Sequence, residues 1–117
     1  MLFRSNLVRV SLMRNQIEEI PSSHSPRCPN LSTLFLCYNR LQFISDSFFM
    51  QLHGLKVLNL SCTSIQKLPD SISDLVSLTA LLLSNCKFLR SVPSLRKLRA
   101  LKRLDLFHTS LMLKFGT

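Results

Sequence analysis

Residues 55–65 read Leu55-Lys56-Val57-Leu58-Asn59-Leu60-Ser61-Cys62-Thr63-Ser64-Ile65, and variants of this stretch recur along the whole chain. An apolar residue stands at its first, fourth, sixth and eleventh positions, and a small or polar residue stands at its ninth. Equivalent units begin near residues 7, 31, 55, 78 and 101, at spacings of 24, 24, 23 and 23 residues. Five matches in one register indicate that a single structural unit is repeated from end to end.

The spacing is the signature of leucine-rich repeats. Apolar residues alternate with variable ones in each unit, which predicts a short strand with one buried face. The predicted strands cover residues 9–13, 33–37, 57–61, 80–84 and 103–107. They pair in parallel because each recurs once per coil. Two buried rows follow, formed by Val10, Leu34, Leu58, Leu81 and Leu104 and by Leu12, Leu36, Leu60, Leu83 and Leu106.

The predicted fold class is therefore α/β, a leucine-rich-repeat solenoid. We expect a right-handed coil with a short parallel β-sheet on the concave face and loops or short helices on the convex face. Residues 1–117 form one domain of five repeats, the last of them incomplete. Segments 47–52 and 71–75 have helical spacing, with Ser71 as a candidate N-cap, whereas 22–30 should be an irregular loop. The residues at the turn after each strand should satisfy backbone groups there: Asn15, Asn39, Thr63, Cys86 and Thr109.

Composition narrows the function classes. The only glycines are Gly54 and Gly116, so the chain lacks a glycine-rich phosphate loop, and we expect no bound cofactor. The four cysteines show no C-x-x-C spacing, which favours reduced thiols in the cytoplasm and no metal site. His108 near Asp105 has no placed nucleophile beside it, so we expect no catalytic residues and no enzyme. No apolar run is long enough for a membrane span.

The net charge of +9 is concentrated near the C-terminal end. Asp105 is the only acidic residue among positions 87–114, so the sequence predicts a basic cluster with no acid nearby except that one. Its members are Lys87, Arg90, Arg96, Lys97, Arg99, Lys102 and Arg103. A solvated face explains such a cluster, and so does an acidic docking partner. Nucleic acid is disfavoured, because no recognition motif or stacking aromatic series accompanies the charge.

The variable strand positions should point out of the concave face, where aromatic and arginine side chains often make strong contacts with partner proteins. The predicted partner-binding residues are Arg9, Met13, Arg14, Phe35, Tyr38, Leu82, Arg103, Asp105, Phe107 and His108. Neighbouring positions in the same rows include Cys37, Ser61 and Ser84. Coverage by a neighbouring domain or by further repeats would also explain exposed apolar residues here.

Two stretches sharpen the resemblance to one family: Ile17-Glu18-Glu19-Ile20-Pro21, and Thr63-x-Ile65-x-x-Leu68-Pro69-Asp70-Ser71-Ile72-Ser73-x-Leu75. Together with residues 28–36 and 48–61, they resemble the repeat region of plant disease-resistance proteins of the coiled-coil, nucleotide-binding, leucine-rich-repeat class. The resemblance covers nearly all of the chain. It implies protein partners: a pathogen effector, a guarded host protein, or the receptor's own nucleotide-binding domain, which the repeats hold in its resting state.

The chain differs from that family pattern because it has neither a coiled coil nor a G-x-x-x-x-G-K-[ST] segment. ADP or ATP is therefore expected only in the family's nucleotide-binding domain. Lys114 stands where an apolar residue belongs, which favours a fragment or a truncated product. Two alternatives stay open: a generic interaction scaffold unrelated to defence, and a non-functional truncated fragment. The ectodomain of a cell-surface receptor is a weaker third, because no repeat carries L-x-G-x-I-P.

Overall fold

The protein is a parallel-strand solenoid, seen in a computed structural model that describes residues 8–20 and 28–111. One short strand of the main sheet recurs in each coil, and we number the coils 1 to 5 by that strand. The main-sheet strands are β1 (Arg9–Ser11), β3 (Thr33–Phe35), β5 (Val57–Asn59), β6 (Ala80–Leu82) and β7 (Arg103–Asp105). A second, two-stranded ladder is formed by β2 (Glu19–Ile20) and β4 (Phe43–Ile44).

The main sheet is parallel throughout, in the order β1-β3-β5-β6-β7. Its register aligns Val10, Leu34, Leu58, Leu81 and Leu104. The predicted parallel strands and this row of leucines are therefore confirmed. Each strand is two residues shorter than predicted, because the chain turns directly after the second inward residue.

Burial along that row is uneven. Leu34, Leu58 and Leu81 are fully buried between neighbouring coils, whereas Leu104 is 42% exposed. Val10 is half-buried. The expectation that all five positions are buried was wrong at the two outer strands. A coil of a solenoid is covered only by its neighbours, and the outer strands have a described neighbour on one side alone.

The convex side contains short 3-10 helices at Asp46–Phe48 and Asp70–Asp74. Phe48 and Phe49 pack edge to face with ring centroids 5.0 Å apart, and both are buried. Pro69, rather than Ser71, is the N-cap residue of the second helix, and it makes no side-chain capping hydrogen bond. The prediction that Ser71 is an N-cap was wrong, because its hydroxyl is buried inside the helix without a hydrogen-bond partner. Of the predicted irregular loop, residues 22–27 lie outside the described residues.

A close approach of two coils requires glycine at position 54. A β-carbon on Gly54 would lie 2.9 Å from the backbone oxygen of Pro29, which is closer than real β-carbons come to such atoms. Coil 2 can therefore return beside coil 1 only because this residue has no side chain.

The turn after each main strand passes through the left-handed backbone region. The residues there are Arg14, Tyr38, Cys62, Asn85 and His108, with φ between 58° and 60°. Such a conformation costs a non-glycine residue about 1 kcal/mol or more. Hydrogen bonds between coils offset it, since the backbone N–H groups of Cys62 and Asn85 donate to Ser84 and Phe107 oxygens at 2.9 and 2.8 Å. None of these five residues is glycine, so each turn presents a side chain beside the concave face.

Candidate protein-binding surface

The outward side chains of the main sheet form the concave face. Tyr38 and Phe107 are 50% and 61% exposed, and Met13 is 37% exposed. Phe35, Leu82 and Asp105 are half-buried between neighbouring side chains. The remaining predicted contact residues are all exposed: Arg9, Arg14, Arg103 and His108. All ten predicted residues thus lie on this face or on its turn edge, although their exposure differs.

Two aromatic pairs stand at opposite ends of the turn edge. The Arg14 guanidinium carbon lies 5.1 Å from the centroid of the Tyr38 ring, which joins coils 1 and 2 by a cation–π contact. In coil 5 the Phe107 and His108 rings stack with centroids 4.0 Å apart. His108 Nδ1 is also 3.2 Å from Asn85 Oδ1 in coil 4. The turn geometry brings these residues together, and the sequence did not predict either pair.

Between the two pairs the surface is low and polar. Ser84 Oγ donates to Ser61 Oγ at 3.1 Å, and Ser61 is buried. Cys37, which we placed in an outward row, is only 2% exposed. The expected exposure was wrong, because Cys37, like Ser61 at the equivalent position, is buried, although it lies outside the main hydrophobic cluster. Along the turn edge, small and polar side chains therefore separate the two aromatic pairs, while the larger Phe35 and Leu82 lie half-buried on the strands.

His108 and Asp105 make separate polar contacts. His108 Nδ1 is within hydrogen-bonding distance of Asn85, and Asp105 Oδ1 accepts the Phe107 backbone N–H at 3.1 Å. Among the described residues, no group of three or more histidine, cysteine, aspartate or glutamate side chains could hold a metal ion. His53 is exposed near a turn, and His24 lies outside the described residues.

The cysteines near the turns are structural. Cys86 is buried, its thiol lies 3.1 Å from the Leu60 oxygen, and it lies 3.5 Å from Thr63 Oγ1. Burial raises the pKa of Cys86, and likewise the pKa of Cys37 and Cys28, because an apolar environment disfavours the thiolate. These three thiols are therefore poor nucleophiles at neutral pH.

The basic cluster is exposed, as a charged segment should be, but it is not one continuous patch. Arg103 belongs to β7 of the main sheet, whereas Lys97 lies in the turn segment that follows coil 4. Lys97 Nζ lies 3.4 Å from Asp74 Oδ1 of coil 3. The expectation that Asp105 is the only acid nearby was wrong, because stacking of the coils brings Asp74 from 23 residues away.

Relatives of known name share this sequence pattern. The leucine-rich repeat family model matches residues 29–88. The chain is 41% identical to the disease resistance protein UNI of Arabidopsis thaliana over 102 residues. This alignment covers 86% of the chain and 11% of UNI. The corresponding figures for the Arabidopsis thaliana disease resistance protein SUMM2 are 51% identity over 82 residues, 68% of the chain and 9% of that protein.

A probable disease resistance protein of the same plant is 47% identical over 100 residues, which are 84% of the chain and 11% of that relative. The chain thus spans about a tenth of the length of the curated relatives it matches. No solved structure matches it. Within the part of the chain that the structure describes, no helix is both long and apolar enough to cross a membrane. The chain belongs to the leucine-rich repeat family, and it corresponds to the repeat region of plant disease resistance proteins.

Proposed function

We propose that this chain is the protein-recognition part of a plant intracellular immune receptor and that it acts in the cytoplasm. Its concave face senses a pathogen effector or a guarded host protein, and the repeats restrain a nucleotide-binding domain until the defence response is triggered. The chain acts by binding and not by catalysis. Any ADP or ATP is held by the nucleotide-binding domain.

One observation carries the proposal: the concave face holds exposed aromatic side chains that do not fill the core. Tyr38 and Phe107 are at least half exposed and lie in the turn regions of coils 2 and 5, near the two ends of the turn edge. Large side chains held in fixed positions lose little conformational entropy on binding and are enriched among the strongest contacts in protein interfaces. The named relatives, which share this region, are disease resistance proteins.

A co-purification experiment tests the proposal. The 117-residue chain is expressed in leaf cells with the remaining, nucleotide-binding part of UNI, and two outcomes are measured: association of the two parts and the strength of the defence response. We expect the chain to associate and to lower the response. Tyr38→Ala with Phe107→Ala should weaken the association about tenfold or more, as loss of two strong aromatic contacts does.

Met50→Ala with Val76→Ala provides the matched control. These apolar residues are 59% and 56% exposed, but they lie outside the concave face. The control should leave association and response unchanged. Equal loss in the two double variants, or no association of the unmodified chain, would contradict the proposal.

A further inference from the structure

The segments that follow the turns form a second surface of the solenoid, where the backbones of neighbouring coils pair again. In coils 1 and 2, β2 pairs with β4, and the Gln42 N–H donates to the Glu18 oxygen at 2.7 Å. In coils 3 and 4, Lys67 pairs with Ser91, and the Arg90 N–H donates to the Gln66 oxygen at 2.8 Å. This flank is therefore a second parallel ladder beside the main sheet.

The second ladder is interrupted between coils 2 and 3. Ser64 donates its N–H to the Leu41 oxygen at 2.8 Å, but among the described residues no backbone hydrogen bond joins 42–46 to 66–70. Two cavities open along this flank. One has a volume of about 450 Å³ and is lined by Gln42, Phe43, Gln66, Lys67, Arg90 and Ser91. The other, of about 140 Å³, lies between 43–46 and 67–70. We call the six residues of the larger cavity the flank groove.

The flank groove combines an apolar wall with two cations that form no ion pair among the described residues. Lys67 also borders the smaller cavity, which Asp46 and Asp70 line. Phe43 is 50% exposed, while its neighbour Ile44 is buried in the core. Lys67 and Arg90 are exposed, and neither lies within ion-pair distance of an acidic side chain in the described part of the chain. Gln42 and Gln66 add amide groups that can donate and accept hydrogen bonds. The one nearby carboxylate that makes a hydrogen bond, Asp46, accepts from the Ser71 N–H at 3.2 Å.

We infer that the flank groove binds an acidic peptide segment of a partner protein, with an apolar side chain of that segment against Phe43 and its carboxylates on Lys67 and Arg90. Opposite charge lowers the repulsion between these cations and steers an acidic segment toward them. The contact is separate from the concave face, so it does not depend on the function proposed above.

Other occupants fit less well. Single-stranded nucleic acid requires several aromatic rings on which successive bases stack, and Phe43 is the only aromatic residue that lines the groove. A second copy of this chain carries a formal charge of +9, so it does not supply the acidic complement that Lys67 and Arg90 favour.

The test uses the full 117-residue chain, immobilised at low density so that self-association does not contribute. The probe is a short labelled peptide in which glutamates flank a central phenylalanine. We expect saturable binding that falls with added salt. Lys67→Glu with Arg90→Glu should lower the affinity about tenfold or more, and Phe43→Ser should lower it several-fold.

Arg40→Glu with Lys56→Glu is the matched control. It makes the same change in net charge at exposed positions outside the groove, and it should change the affinity by less than about twofold because the peptide does not touch it. Circular dichroism and the thermal midpoint of every variant should match those of the unmodified chain. Tyr38→Ala with Phe107→Ala should also bind the peptide normally, which separates this inference from the proposed function.

Several results would overturn the inference. One is equal weakening by the two charge reversals, which would mean that only net charge matters. Another is equal binding of a peptide with lysine in place of glutamate. Preferential binding of polyuridine that the groove variants abolish would assign the site to nucleic acid. A rise in sedimentation coefficient that the groove variants abolish would assign it to a second copy.

Discussion

The side chain of Asn39 in coil 2 hydrogen-bonds to the backbone of Asn15 in the turn of coil 1. Its Oδ1 accepts the backbone N–H of Asn15, the equivalent residue of coil 1, at 2.9 Å, and that of Ile17 at 3.1 Å. Its Nδ2 donates to the oxygens of Leu12 and Leu36, both at 2.9 Å. One buried amide thus satisfies backbone groups of two successive turns, which asparagine can do because it is both donor and acceptor.

Asn39→Ala should lower the free energy of unfolding by about 2–3 kcal/mol, because buried backbone donors and acceptors would lose their partner. Asn15→Ala at the equivalent position should lower the free energy of unfolding by less than about 1 kcal/mol, since Asn15 is exposed and, among the described residues, its side-chain amide bonds only the Met13 oxygen. Urea unfolding followed by circular dichroism measures both. Similar losses at the two positions would contradict this account of the turns.

Leu58→Ala should lower the free energy of unfolding by about 2–5 kcal/mol, because it leaves a cavity at a fully buried position. Leu104 occupies the same register position, but Leu104→Ala should lower the free energy of unfolding by less than about 1.5 kcal/mol. The reason is that the Leu104 side chain is already 42% exposed to water. The same urea titration applies. A Leu104 variant as unstable as the Leu58 variant would show that coil 5 is covered in solution.

Stability should fall at alkaline pH because Cys86 titrates. Its pKa in the folded state is raised above the ordinary value of 9.0 by burial, so folding favours the neutral thiol. The stabilising contribution is fully present below about pH 9 and is lost as pH rises through the raised folded pKa. Cys86→Thr removes the titrating group while keeping a donor of the kind that Thr63 and Thr109 use at this position.

The thermal midpoints of the unmodified and Cys86→Thr chains should differ by a constant amount below about pH 8. Above about pH 9 the unmodified chain should lose stability relative to the variant. Cys28 and Cys37 are present in both chains and cancel from the comparison. Parallel curves up to pH 11 would rule out a contribution from Cys86.

The 117-residue chain by itself should self-associate despite its charge. Leu104 is largely exposed, and in the described residues β7 is paired on one side only. The unpaired side of an edge strand presents backbone N–H and C=O groups that can pair with another chain. Sedimentation velocity should show species that grow with concentration, and Leu104→Lys should reduce them. A monodisperse monomer that melts cooperatively at all concentrations would contradict this.

Arg96→Glu with Arg99→Glu should weaken association with a nucleotide-binding segment and make it less sensitive to salt, if the basic cluster docks an acidic surface there. Lys97 is left unchanged because reversing it would place two carboxylates together at Asp74. Arg40→Glu with Lys56→Glu makes the same charge change in coils 2 and 3 and should have little effect. Equal behaviour of the two double variants would identify the cluster as a solvated face.

The local sequence pattern was sufficient to predict the strands and the turn residues in the middle of the array. Period two within each unit predicts which side chains face inward, and the constant repeat length predicts that Leu34, Leu58 and Leu81 align. The same reasoning failed at Cys37, a position in an outward row that is nevertheless buried. It also failed at Leu104, because burial there depends on the number of neighbouring coils and not on the residue itself.

By itself, the sequence determined the repeat, the parallel strands, the inward leucines and the family, since all of these follow from residue type at a fixed spacing. Only the tertiary structure decided which side chains outside the main sheet make contact across coils. The Arg14–Tyr38 contact, the Lys97–Asp74 ion pair and the flank groove join residues that are 23 or more positions apart. Their proximity comes from the coil geometry, in which side chains one repeat apart are stacked about 5 Å from one another.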